Sequence, residues 1–105
     1  MTKQKQKKLE AAGWRVGDAA DFLALTPQED QLVTIRVRLS RALRQRRRDL
    51  KWNQTTLARK IGTSQARIAR AEGARAGISI DFFIQALVAT GADGRMIGRI
   101  VAGED

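Results

Sequence analysis

Residues 54–72 read QTTLARKIGTSQARIARAE, and the reading of this stretch decides the fold. It divides at Gly62 into two short helices, Gln54–Ile61 and Ser64–Glu72. Leu57 and Ile61 lie one turn apart and face a core. Ala58 is small, as required where two helices cross closely. Gly62 is free to take the left-handed conformation that a tight turn needs. Ile68 and Ala71 are three apart and return the second helix to the core. The positions left facing outward are Ser64, Gln65, Ala66, Arg67 and Arg70, all polar or small.

On the N-terminal side, Thr26-Pro27-Gln28-Glu29 is a strong helix start, with threonine at the N-cap, proline at N1 and glutamate at N3. No breaker follows before Leu50, so one long helix is predicted over roughly 27–50. Leu32, Ile35, Leu39, Ala42, Arg46 and Leu50 step by three or four, and Val33, Val37 and Leu43 widen the stripe. About 24 residues make a helix about 36 Å long, more than a small domain needs for its own core. Part of its apolar stripe is therefore available to a second subunit or partner. Lys51-Trp52-Asn53 reads as a turn. On the C-terminal side, residues 73–78 form a loop. Ser79 caps a helix over 80–90, with Asp81 in the first turn and Ile80, Phe83, Ile84, Leu87 and Val88 along one face. Gly91 suits the C′ position, and Asp93 caps a last helix over 96–101. Residues 18–25, DAADFLAL, form a short helix with Asp18 as N-cap. Residues 1–17 are a mobile basic tail.

Twenty Lys+Arg against 11 Asp+Glu give a net charge of +9 and a pI near 11.3. Such a balance favours a polyanionic partner, a nucleic acid or an anionic membrane surface. The N-terminal lysines lack an interleaved apolar face, which disfavours the membrane. No apolar run approaches the ~18 residues of a membrane span, and no apolar region follows the lysines as a secretory signal requires. The expected compartment is the cytoplasm. With no cysteine and no histidine, disulfides, Cys/His zinc sites and Ser-His-Asp or Cys-His nucleophiles are excluded. Asp81 with Asp93, and Glu104 with Asp105, lack a third metal ligand. Gly91, Gly94 and Gly98 fit no phosphate-loop pattern. No enzyme, cofactor or metal is expected.

Taken together, Asn53-Gln54, Leu57-Ala58, Ile61-Gly62-Thr63-Ser64-Gln65, Ile68 and Glu72-Gly73 resemble the Cro/repressor, or XRE, helix-turn-helix family. The resemblance covers about residues 39–90, with SIDFFIQALVATGA similar to the family's fourth helix. It implies an all-α, five-helix Cro/repressor-like domain over 39–102. A helical extension over 18–38 begins the long first helix, and 1–17 form the tail. It also implies sequence-specific binding of double-stranded DNA by a homodimer on a pseudo-palindromic operator, as a transcriptional repressor associated with the nucleoid.

Roles follow by position. Asn53 and Gln54 open the first motif helix, where Gln54 contacts phosphate and buttresses the reading residue. Gln65 matches the position that pairs bidentately with adenine N6 and N7. Ser64 and Ala66 match neighbouring reading positions, although Ser64 or Thr63 can equally serve as a helix cap. Arg67 and Arg70 are placed to reach guanine, phosphate or neither. Arg41, Arg44 and Arg48 share a face that suits either a phosphate backbone or solvent. Arg47 and Glu72 match a structural ion pair of the family; breaking one partner of a buried pair costs about 3–5 kcal/mol. Ala71 departs from the pattern, which more often has a larger apolar residue there. Trp52, Phe82 or Phe83 must fill the space if the second helix is to be firmly seated. The segment GWRVGDAADFLALTPQEDQLVTIRVRL resembles the leading part of small HigA-like antitoxins encoded with a RelE-superfamily toxin. That likeness implies an alternative: a toxin-neutralising protein that autoregulates its operon.

Overall fold

The computed structural model describes residues 25–104. The expected tail over 1–17 and short helix over 18–25 lie outside the described residues, save for Leu25. Five helices follow in order: α1 (Pro27–Asp49), α2 (Gln54–Ile61), α3 (Gln65–Glu72), α4 (Ile80–Ala89) and α5 (Gly94–Ala102). There is no strand among the described residues, so the fold is all-α. None of these helices is long and apolar enough to cross a membrane.

Each helix begins on a side chain that satisfies an otherwise orphaned backbone donor. At α1 the Glu29 amide donates to Thr26 Oγ1 and the Thr26 amide donates to Glu29 Oε1, both at 3.1 Å. The Thr26 amide, followed by the Thr26 side chain, holds the Glu29 carboxyl below its ordinary pKa. Asn53, Ser64, Ser79 and Asp93 cap α2 to α5 in the same way. Asp93 starts the last helix at Gly94, two residues before the expected position.

Helix α1 is the spine against which α3, α4 and α5 pack. Arg36 donates to the Ile78 carbonyl just before α4, and Arg46 donates to Thr90 just after it. Helix α4 therefore runs parallel to α1. Arg38 donates to the Val101 carbonyl near the end of α5, so α5 runs back antiparallel. Gly103, at φ +81°, lies against that arginine: a Cβ there would stand 2.7 Å from Arg38 Cζ. Arg36 is itself buried and lies 5.5 Å from the Phe83 ring centroid. Burial lowers its pKa from the ordinary value.

The core is Leu39, Leu43, Leu57, Ile68, Phe83 and Leu87, with Ala58 and Ala71 at the close crossings. Two expected faces are corrected. On α1, Leu32 and Leu50 are exposed, and the buried positions are Arg36, Val37, Leu39, Ser40, Leu43 and Arg47. Helix α4 begins only at the level of Arg36, so Leu32 has no described helix beside it. Leu50 is the C-cap residue, past the last turn. On α4, Ile84 and Val88 are exposed, whereas Phe82, Phe83, Ala86 and Leu87 are buried. That helix packs on both α1 and α2, which rotates its buried arc toward Phe82 and Ala86.

Candidate nucleic-acid interface

The turn between α2 and α3 follows from Gly62. Its φ is +70° and a Cβ there would meet nothing within 4 Å, so backbone conformation, not space, demands glycine. The Thr63 amide then donates to the Ala58 carbonyl at 2.9 Å, closing the end of α2. Ser64 Oγ accepts from the Arg67 amide and starts α3. The serine is thus the N-cap of the second motif helix while its residue stays exposed.

Helix α3 divides cleanly. Ile68, Ala71 and Glu72 are buried; Gln65, Ala66, Arg67 and Arg70 are exposed. Ala71 is fully buried in the core that holds Phe82 and Phe83. Trp52 is half-buried against the edge of that core, with Lys60 Nζ 4.7 Å from its ring centroid. Ala71 is thus closed off from solvent without a larger residue there.

A chain of side chains connects the interior to the exposed start of α3. Arg47 Nε donates to Glu72 Oε2 at 2.6 Å, and Arg47 Nη2 donates to Glu72 Oε1 at 2.8 Å. Arg47 Nη1 donates to the Trp52 carbonyl at 2.8 Å, tying the same guanidinium to the turn before α2. The hydrogen bond to Glu72 raises the Arg47 pKa above its ordinary value, against the opposing effect of burial. Gln54 Nε2 donates to Glu72 Oε1 at 3.2 Å, and Gln65 Nε2 donates to Gln54 Oε1 at 2.6 Å. The ion pair and the glutamine buttress inferred from the sequence are therefore one continuous network.

The other candidate residues have distinct settings. Asn53 Oδ1 accepts from the Thr56 amide at 2.7 Å and from the Thr56 hydroxyl at 2.9 Å, so its oxygen is occupied by capping. The Arg67 guanidinium lies over the Phe82 ring, 4.4 Å from its centroid, at the flank of α4. Arg70 Nη2 donates to the Ala76 carbonyl at 3.0 Å, turned toward the loop after α3. Both residues stay exposed on the outer side of α3 without extending straight out from it. The expected arginine stripe on α1 divides. Arg44 and Arg48 border a shallow cleft of about 230 Å³ with Gln54, Ala69, Glu72 and Gly73. Arg41 borders a separate cleft beside Ile100 and Gly103.

The roles of Arg36, Arg38 and Arg46 as braces to the loops and ends of α4 and α5 had no signal in the sequence. Arg46 falls on the apolar stripe of α1, but that position does not disclose its partner Thr90.

Residues 38–99, more than half of the chain, match a family model described as a helix-turn-helix domain. No curated protein and no solved structure matches the chain.

Proposed function

The chain belongs to the helix-turn-helix DNA-binding family, and from that premise we propose that it is a transcriptional repressor of the XRE type. It acts in the cytoplasm, on the nucleoid, and has no catalytic role. It binds double-stranded DNA as a homodimer on a pseudo-palindromic operator, with recognition helices entering successive major grooves about 34 Å apart. The observation that carries this reading is the exposed amide of Gln65, held from behind by Gln54 at 2.6 Å. An amide so held suits the bidentate pairing that reads adenine at N6 and N7. Ala66 beside it offers apolar contact to a thymine methyl. Ser64 caps α3 and lies at its groove-facing start. Asn53, Gln54, Arg44 and Arg48 lie along the path of a phosphate backbone past the motif, and Arg67 and Arg70 supply charge on its flank.

The test is Gln65→Ala on a duplex selected by the unaltered protein. Specificity is expected to relax at one base pair in each half-site, with the remaining preferences intact. An unchanged preference at every position contradicts the assignment of Gln65.

One observation favours a second role beside this one. The first turns of α1 project past α4, and there Leu32 is 50% exposed with Val33 and Ile35 half-buried. An apolar end of this kind suits a protein partner, and the leading segment resembles HigA-like antitoxins. In that reading the protein also neutralises a RelE-superfamily toxin encoded beside it, and DNA binding autoregulates the operon. Deleting residues 1–26 together with Leu32→Asp is then expected to abolish toxin binding and leave operator binding largely intact. Retention of toxin binding by that variant contradicts that role.

A further inference from the structure

We propose that Glu72, seated by Arg47, selects the base read by Gln65 by fixing, through Gln54, the order of donor and acceptor on the Gln65 amide. The proposal rests on the assignment of Gln65 as a base reader.

A glutamine amide carries an acceptor oxygen and a donor nitrogen of similar size, and in water either can face a given neighbour. In this protein the choice is forced link by link. An ionised carboxylate only accepts hydrogen bonds. Glu72 pairs with Arg47 as a carboxylate, its two oxygens accepting from Nε and Nη2 at 2.6 and 2.8 Å. The Gln54 atom that faces Glu72 must therefore be the donor Nε2, at 3.2 Å. That turns Gln54 Oε1 toward α3, so Gln65 must meet it with its own Nε2, at 2.6 Å. Reversing either amide alone sets two donors or two acceptors against each other. The polarity of a buried ion pair is thus carried across two side chains to the exposed start of the second motif helix.

The consequence lies in what Gln65 has left to offer. One hydrogen of Nε2 is spent on Gln54; the other, with Oε1, remains free in a fixed order. That order matches the N7 acceptor and N6 donor of adenine. For a side chain entering the groove in the same pose, a reversed amide places Oε1 against N7 and the nitrogen against N6, both mismatched. Glu72 touches no base in this scheme. It is a positioning residue, and its effect is on which base is preferred, beyond the tie that it makes between helices.

The experiment uses the full chain and duplexes that differ only at the base pair read by Gln65, identified as the pair whose preference disappears in Gln65→Ala. Relative affinities for the four bases are compared between the unaltered protein, Glu72→Gln, and Arg47→Met combined with Glu72→Leu. Helix content and melting are followed by circular dichroism. The combined variant removes both charges together and leaves neither buried alone, so it carries the test if Glu72→Gln does not fold. The expected result is a loss of about tenfold or more in adenine preference at that pair, with relative preferences elsewhere in the operator unchanged. A residue that only ties helices together weakens all four duplexes alike. Uniform weakening with adenine preference intact therefore overturns the proposal while leaving Gln65 as reader. If the unaltered protein binds every duplex alike, the repressor reading itself fails, and this proposal fails with it.

Discussion

Ala71 is where the sequence departs from the family that it resembles. It is fully buried, on the inner face of α3, among side chains that include Phe82 and Phe83. Enlarging such a site forces neighbours off their rotamers and costs about 1–3 kcal/mol. Ala71→Leu, the size more usual in the family that the sequence resembles, is expected to lower stability by that amount in urea unfolding. A raised midpoint would mean that a cavity exists beside Ala71. At this scale the sequence was most legible where residue identity and position were both restrictive. Arg47, Gln54, Gln65 and Glu72 were each assigned from the motif, and they meet in space as a single network. It was least legible for arginine. Arg36, Arg38 and Arg46 reach backbone carbonyls at the loops and ends of distant helices, and Arg46 also reaches the Thr90 hydroxyl. A long flexible side chain can bury its stem and still satisfy its head group, so its position in a pattern does not disclose its partner.

Helix starts and stops were readable because capping chemistry is local. Thr26, Ser79 and Asp93 were each recognisable as caps without reference to the rest of the fold, and all three cap in the structure. Gly62 is the element-level counterpart: it ends α2 in a left-handed conformation with open space around its Cα. Gly62→Ala therefore meets strain but no clash. The expected cost is about 1–2 kcal/mol, read as a lowered unfolding midpoint, with the turn geometry retained. A loss much larger than that would show that the turn rearranges. The faces of α1 and α4 were less readable for a different reason. A periodic apolar stripe shows that a face exists, but not how wide it is or which neighbour covers it. Both helices carry more apolar residues than their packing uses, which leaves Leu32 on α1 and Ile84 and Val88 on α4 exposed. Their buried arcs are set by the placement of α4 on both α1 and α2, a tertiary fact with no local signature.

At the scale of the whole molecule, α1 aligns three helices through its arginines while the motif formed by α2 and α3 presents its outer face to solvent. A net charge of +9 supplies general attraction to a polyanion, and general attraction carries no sequence information. Specific reading must come from side chains that reach base edges. In the proposed function that falls to the start of α3, where a buried ion pair braces an exposed glutamine. The fold class and the outward face of the second motif helix followed from the sequence, because both are fixed by the glycine-centred motif. Selection of bound duplexes from a random pool, followed by footprinting of the winner, tests the central claim most directly. The account predicts a pseudo-palindromic consensus with half-sites about 34 Å apart, each holding one adenine whose preference disappears in Gln65→Ala. A pool that yields no consensus, or one whose every preference survives Gln65→Ala, would contradict it.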